Sequence, residues 1–248
     1  MSEGPRDGDG QALAKRAYAT FAERYDRDAP TKPHNALYER PASLELLGDV
    51  AGLEVLDAGC GPGIVSQILA NAGAHVRAFD VTPEMVALAR RRCEGLDVAV
   101  READFSHPLD WVADESVDRV VCSLALDYVE RLEPVFREFA RVTRAGGMLV
   151  FSMGHPMRDW MDPRTHGGKS YFEINRWGMH WTGFGEPNPY VESYRRPLQD
   201  ILNPLVAAGW RLDRFVEPLP APEMETVDPR HFAELSHAPG FICVRACK

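Results

Sequence analysis

The segment Val55-Leu-Asp-Ala-Gly-Cys-Gly-Pro-Gly63 constrains the fold more than any other stretch: an apolar run ends on an acid, and three glycines follow at every second position. The run Leu53 to Leu56 reads as a buried strand. Ile64, Val65, Ile68 and Leu69 recur at helical spacing after Pro62, a residue suited to a first helical turn. Strand, glycine turn and helix in that order bring bare backbone to the carboxyl end of a strand, where a ligand can approach closely. A nucleotide-type site is the first expectation.

The residues around the glycines narrow it. A dinucleotide fingerprint wants glycine or alanine where Ile64 stands, and it sets a pyrophosphate on the helix N-terminus. Asp57 would then face a like charge. A phosphate loop fails because no Gly-Lys-Ser/Thr follows. A carboxylate at Asp57 suits a ligand carrying positive charge, such as the ammonium and sulfonium groups of S-adenosylmethionine. His75 to Phe79 reads as a second strand with Asp80 at its end, where an acid bonds ribose hydroxyls. Thr82 caps and Pro83 opens the next helix, whose Met85, Val86 and Ala89 lead to Arg90, Arg91 and Arg92 near its negative end. Asp97 to Arg101 is a third strand, followed by Glu102-Ala-Asp104-Phe105. Val117 to Leu124 is a fourth, apolar enough to be covered on both faces. A helix over Leu132 to Thr143 ends before Gly146-Gly147, and Met148 to Met153 makes a fifth strand. Strands alternating with helices predict a doubly wound α/β fold on a parallel sheet.

From about Pro41 to Met153 the chain resembles the class I S-adenosylmethionine-dependent methyltransferases, in particular the small, type-11-like bacterial members. The glycine segment, Asp80, the Ala-Asp-Phe element and the Arg-Ala-Gly-Gly turn carry the resemblance. It implies a Rossmann-like, seven-stranded, mostly parallel sheet with an antiparallel last strand and helices on both faces. Arg211 to Glu217 and Gly240 to Ala246 would be an antiparallel pair at one edge. It also implies that Asp57 and the turn Gly59, Cys60, Gly61 and Gly63 hold the methionine part of S-adenosyl-L-methionine, and that Asp80 takes the ribose. Val81 and Met85 would lie against the adenine, Asp104 would bond its amino group and Phe105 would flank the ring. Ser123, Leu124 and Ala125 would line the floor near the sulfonium, and S-adenosyl-L-homocysteine would be the product. One position departs from the pattern: many relatives carry a histidine where this chain has Asp127.

Around that core, residues 1–40 read as an N-terminal helical cap or lid on a methyltransferase domain spanning 41–248. Ala12 to Tyr25 has a helical face marked by Leu13, Ala17 and Phe21, and Asp26 to Asn35, with Pro30 and Pro33, reads as a linker or lid segment. Tyr25, Asn35 and Tyr38 are candidates to face the cofactor, against plain packing of the tyrosines. The stretch 155–195 is far longer than a simple connection needs. It holds Trp160, Tyr171, Phe172, Trp177, Trp181, Phe184, Tyr190 and Tyr194, a density well above the 9% aromatic content of the whole chain. Disordered segments are depleted in such residues, so this insertion is expected to fold into a substrate-pocket wall beside the fifth strand's carboxyl end. Pro197 then opens a helix with Leu198, Ile201, Leu202, Leu205 and Val206 on its apolar face, stopped by Gly209.

Methyl transfer from a sulfonium asks mainly for alignment, exclusion of water and a proton acceptor where the nucleophile needs one. His155 and Asp127, both just past strand ends, are the candidates for that proton. A turn hydrogen bond is the competing reading of His155; a helix cap, an ion pair or binding of an acceptor ammonium competes for Asp127. Tyr128, Tyr171, Trp177 and Trp181 offer ring faces to an aromatic or cationic acceptor, against ordinary core packing. Arg195, beside Arg196, could receive a carboxylate. His166 and His180 lack ligand spacing, so no metal is expected.

The formal net charge of −9, with no basic cluster longer than Arg90 to Arg92, disfavours a nucleic-acid acceptor. No apolar stretch is long enough for a membrane span, Met1 to Gly10 lacks the apolar core of a signal peptide, and five cysteines without metal-type spacing fit a reducing compartment. Cytoplasm is the expected location; nothing in the sequence addresses oligomeric state. The expected function is methylation of an oxygen or nitrogen of a small metabolite. The alternatives are an S-adenosylmethionine-binding regulatory protein without turnover and a protein methyltransferase, which would need an open groove.

Overall fold

The computed structural model describes residues 9–248, so the reading of Met1 to Gly10 falls largely outside the described residues, as does the side chain of Leu13. The chain begins with α1 (Asp9–Ala19) and α2 (Ala22–Asp28), then a π-helical turn over Asn35–Glu39 that runs into α3 (Arg40–Leu47). The single helix expected over Ala12 to Tyr25 is therefore broken. The amide and hydroxyl of Thr20 both donate to Ala17 O, closing a tight turn that lets α2 leave in a new direction. The expected linker Asp26 to Asn35 is helical at both ends.

The core unit follows as β1 (Glu54–Ala58), α4 (Ile64–Asn71), β2 (His75–Asp80), α5 (Pro83–Arg92), β3 (Val98–Glu102), β4 (Val117–Ser123), α6 (Leu132–Val142) and β5 (Thr143–Gly154). The insertion contains α7 (Pro156–Met161), α8 (Pro163–His166) and an antiparallel hairpin of β6 (Asn175–His180) and β7 (Tyr190–Arg195) that forms its own small sheet. Then come α9 (Gln199–Ala207), β8 (Arg211–Val216), α10 (Met224–Val227), α11 (Pro229–Leu235) and β9 (Phe241–Cys247). The main sheet runs β3-β2-β1-β4-β5-β9-β8. The first five are parallel, and β9 lies antiparallel between β5 and β8. This is the expected seven-stranded doubly wound sheet.

Alternation along the strands splits the core into two layers. Leu56, Val120 and Phe151 point to the layer that holds Phe136, Phe139 and Trp210, whereas Val55, Val121 and Val150 point to the layer of Leu46, Leu69 and Val86. α6 supplies its side with Leu132, Val135, Phe136, Phe139 and Val142, the spacing of one helical face. β5 starts earlier than expected. Thr143 pairs with Val117, the register shifts, and Met148 pairs with Arg119. Gly147 permits that bulge, since a Cβ there would stand 2.8 Å from Asp118 O. Strand order reverses between β1 and β4, and a fold of this kind binds its ligand in the crevice beyond the strand ends at that point.

Candidate active site

A cavity of about 500 Å³ opens over this crevice. Its floor is the glycine turn. The amides of Gly59 and Cys60 both donate to Phe79 O at 2.9 Å, binding the turn to the end of β2. Gly59 has φ +75°, and a Cβ on it would meet Ala125 Cβ at 2.5 Å and Phe105 Cζ at 3.3 Å, so only glycine lets these elements close. Asp57, 1% exposed at the end of β1, accepts from Ser66 Oγ of α4 at 2.5 Å. Burial pushes its carboxyl up to about 7, Asp80 and Glu39 pushing the same way and Ser66 opposing. Asp80 accepts from Gly61 N at 2.9 Å and Thr82 N at 2.8 Å; burial raises its pKa against those hydrogen bonds.

A third carboxylate faces the same space. Glu39, 3% exposed in the π-helical turn, accepts from Ser43 Oγ and Ser152 Oγ, each at 2.6 Å. Val81, Met85 and Phe105 form an apolar wall beside Asp80, and Ser123 Oγ is buried without a hydrogen-bond partner among the described residues. Carboxylates for a cationic head and a diol, an apolar slot for a ring and a free hydroxyl on the floor fit S-adenosylmethionine in charge and polarity.

The opposite wall is made by the end of β4 and by the insertion. Leu124 takes φ +51°, held by its amide donating to Ser152 Oγ at 3.0 Å and Ser152 O at 3.2 Å. That kink delivers the 3₁₀ turn Leu126–Tyr128, with Asp127 and Tyr128 on the cavity. Asp127 accepts from Gly154 N at 3.3 Å, and burial raises its carboxyl to about 6. Asp159 of α7 also lines the cavity; burial, then the nearby Asp127, raises it to about 7. Trp177 and Met179 of β6, Val191 and Ser193 of β7, and Trp181 and Phe184 between them close the space from above.

The N-terminal helices complete the roof. Tyr18 and Tyr128 share a hydroxyl–hydroxyl hydrogen bond of 2.8 Å, Tyr25 stacks on Phe184 at 5.3 Å between centroids, and Phe21 is buried among these rings. The N-terminal helices and the insertion thus meet in one aromatic layer, to which the insertion contributes Trp181 and Phe184, while Trp160, Tyr171 and Phe172 pack on one another.

Several expected residues stand elsewhere. His155 caps α7, accepts from Arg158 N and pairs through Nε2 with Glu217 Oε1 at 2.8 Å; it does not line the cavity. Its turn role, the competing reading, is the one the structure displays. Asp104 accepts from the amide and hydroxyl of Ser106 in a local turn away from the cavity. Gly63 faces Ala89 and Cys93, where it allows α4 to approach α5. Tyr38 is buried with its hydroxyl accepting from Gly240 N at 2.7 Å. The Tyr171 hydroxyl accepts from Leu198 N, and Arg195 donates to Asn175 Oδ1 and to the carbonyls of Ser170, Tyr171 and Glu173. Arg195 is a strut for the insertion, with its donors turned from the cavity. Tyr25, Cys60, Tyr128, Trp177 and Trp181 do line it, as do Gly59, Gly61, Ser123 and Leu124.

Sequence reasoning missed Glu39, Tyr18 and Asp159. The signal for Asp159 was present in His155-Pro-Met-Arg-Asp159, where Pro156 opens a short helix whose first turn holds an acid. Sequence reasoning also passed over His34, Asp228 and His231, whose ligand atoms lie within 4.8 Å of one another among the described residues. There Asp228 caps α11 and accepts from His231 Nδ1 at 2.7 Å, so two of the three groups are engaged with each other.

The sheet order, the acid-ended β1 and β2 and the glycine turn between them define a class I S-adenosylmethionine-dependent methyltransferase fold. Residues 56–151 match the family described as "Methyltransferase domain". It is 37% identical over 142 residues to a ubiquinone biosynthesis O-methyltransferase of Xanthomonas oryzae pv. oryzae (strain PXO99A), covering 54% of this chain and 58% of that protein. The match thus spans little more than half of that relative's length. Among solved structures it is similar to an S-adenosylmethionine-dependent methyltransferase from Mesorhizobium loti, with a TM-score of 0.68, 26% identity and coverage of 85% and 97% of the two chains. A putative S-adenosylmethionine-dependent methyltransferase from Listeria monocytogenes shares the fold at a TM-score of 0.71 and 23% identity, covering 85% of this chain and 96% of that one.

Proposed function

We propose that this protein transfers a methyl group from S-adenosyl-L-methionine to an oxygen or nitrogen of a small-molecule acceptor. One observation carries the reading: one cavity joins the carboxylates Asp57, Asp80 and Glu39 to an aromatic chamber lined by Asp127, Tyr128, Trp177 and Trp181. Bound there, S-adenosylmethionine would supply a methyl activated on sulfur. The chain's own residues do the rest. Asp57 and Glu39 balance the positive head, Asp80 takes the ribose hydroxyls, and Phe105, Val81 and Met85 hold the base. The roof of Tyr18, Phe21, Trp181 and Phe184 excludes water and orients the nucleophile toward the β4 end. Asp127, raised toward neutrality by burial, is placed to accept a proton.

The aromatic roof argues against the extended chain that a protein methyltransferase must admit. The charge of −9 speaks against nucleic acid, and among the described residues no helix is long and apolar enough to cross a membrane. Five unpaired cysteines suit the reducing cytoplasm.

The test is incubation with methyl-labelled S-adenosylmethionine and a small-metabolite extract. Labelled product of low molecular weight is expected. Tight cofactor binding with no labelled product would mean a binding protein, and label on protein would mean a different acceptor class.

A further inference from the structure

Two carboxyl groups share one side of the acceptor chamber, and the backbone is shaped to let them. Gly154, the last residue of β5, has no room for a side chain. A Cβ there would lie 2.8 Å from Asp159 Oδ2 and 3.7 Å from Asp127 Oδ1. Its amide donates to both Asp127 oxygens at 3.3 Å, while the Asp159 carboxyl accepts no side-chain hydrogen bond among the described residues. The guanidinium groups that act on the pair electrostatically are bonded to other groups. Arg158 donates to Glu234 and the Ala238 carbonyl, Arg195 to Asn175 and three carbonyls, and Arg196 to the carbonyls of Val129 and Glu130. Lys32 and Arg40, also on the cavity, donate to the carbonyls of Gly183, Pro30 and Ala29.

A second observation points to a ligand at the same place. Trp177 lines the chamber, and its indole Nε1 is buried without a hydrogen-bond partner among the described residues. Native structures rarely leave such a donor unmet, and since an ammonium has no lone pair to meet it, the indole asks for an acceptor atom elsewhere on the same ligand. With Trp181 and Tyr128 it lines the chamber that the two carboxyls also line. Paired acids beside aromatic faces are complementary to an ammonium group.

We propose that the acceptor is an amine, bound as an ammonium ion by Asp127 and Asp159 against Tyr128, Trp177 and Trp181, and methylated on that nitrogen. This rests on the methyl-transfer reading above. In the step, the ammonium gives one N–H proton to a carboxylate of the pair. The freed nitrogen lone pair forms the N–CH₃ bond as the S–CH₃ bond breaks, and that bond's electrons stay on sulfur as a neutral thioether. The product leaves as the methylated ammonium. Burial raises both carboxyls toward neutrality, which matches them to holding that proton and then releasing it. An alcohol or carboxylic acid would leave the pair without a cation, and a carboxylate would add a third negative charge.

The experiment presents each scaffold in three forms to the full chain with methyl-labelled S-adenosylmethionine. The sets are phenethylamine, 2-phenylethanol and phenylacetate; tryptamine, tryptophol and indoleacetate; and putrescine, butanediol and succinate. Binding of each to the S-adenosylhomocysteine complex is measured in parallel by calorimetry. The expected result is that amines bind or accept label at least about tenfold better than their oxygen counterparts. Asp159→Asn and Asp127→Asn should each weaken the preferred amine about tenfold or more, with cofactor affinity little changed. Gly154→Ala, which displaces the Asp159 carboxyl without removing it, should weaken the amine too; thermal melting checks that all three variants fold. Preference for an alcohol or carboxylate, absence of amine binding, or amine binding untouched by both aspartate substitutions overturns this assignment while leaving methyl transfer standing. Failure to bind S-adenosylmethionine at all would instead overturn the methyl-transfer reading.

Discussion

Ser152 Oγ donates to Glu39 Oε1 at 2.6 Å, across 113 positions of sequence, and the same oxygen accepts from Leu124 N at 3.0 Å. Through this one hydroxyl, the helical segment before β1 is tied to the middle of the sheet and to the kinked end of β4. The carboxylate so anchored faces the cavity that the methionine head would occupy.

Ser152→Ala breaks both links and leaves Leu124 N with its remaining bond to Ser152 O. We expect a loss of about 1–3 kcal/mol in urea unfolding. Cofactor affinity should fall with it, because Glu39 is then held by Ser43 alone. Unchanged stability and affinity would mean that Glu39 is positioned by packing.

Asp57→Asn should separate binding from folding. Because burial raises the folded-state pKa of Asp57 to about 7, its ionised form opposes folding of the apoprotein at pH 8. The amide should therefore melt at the same temperature or higher, while S-adenosylmethionine affinity drops by about tenfold or more with the loss of a carboxylate facing its cationic head. A lower melting temperature with normal affinity would reverse the assignment.

The pH dependence of apoprotein stability follows from the same carboxyls. Asp57, Asp127 and Asp159 are raised to about 7, 6 and 7, so between the usual carboxylate range and neutrality the folded state holds more protons than the unfolded chain. Their contribution is complete below about pH 4 and is lost as pH rises toward 7. Thermal melts should show this decline over pH 5 to 8, and the double variant Asp127→Asn, Asp159→Asn should flatten it. S-adenosylmethionine, which favours ionised carboxylates, should bind more tightly over the same rise.

The legible part of this molecule was the part whose function forces a local pattern. An apolar strand ending in Asp57, glycines where elements close on one another, and an acid near the end of each of β1 and β2 are consequences of a ligand lying across strand ends. They are visible without coordinates, as is the alternation that makes the sheet. The acceptor side obeyed no such pattern. Asp127 and Trp177 could be singled out because they follow a strand or crowd an aromatic stretch. Glu39 reaches the cavity through a π-helical turn, and Tyr18 does so only because α1 packs on the insertion. His155 looked chemical from its place after β5, but capping α7 turns it to Glu217, and Arg195 was claimed by carbonyls of its own insertion. Contacts between segments distant in sequence decided each of these.

The hydroxyl pair of Tyr18 and Tyr128, 2.8 Å apart, ties the cap to the acceptor wall. Tyr18→Phe removes one donor and leaves the Tyr128 hydroxyl unmet in a ring-lined pocket, at a cost of about 1–3 kcal/mol. Hydrogen exchange should show faster opening of α1 with the sheet unaffected. Uniform loss of protection across the sheet would mean that the cap is part of the core fold rather than a separate cover.

The most direct test of the account is a crystal structure with S-adenosylhomocysteine bound. It should place the ribose hydroxyls on Asp80, the amino acid head beside Asp57 and Glu39, and the sulfur facing the chamber of Asp127, Asp159 and Trp177. A nucleoside bound outside this cavity, or a sulfur turned from those side chains, would contradict it.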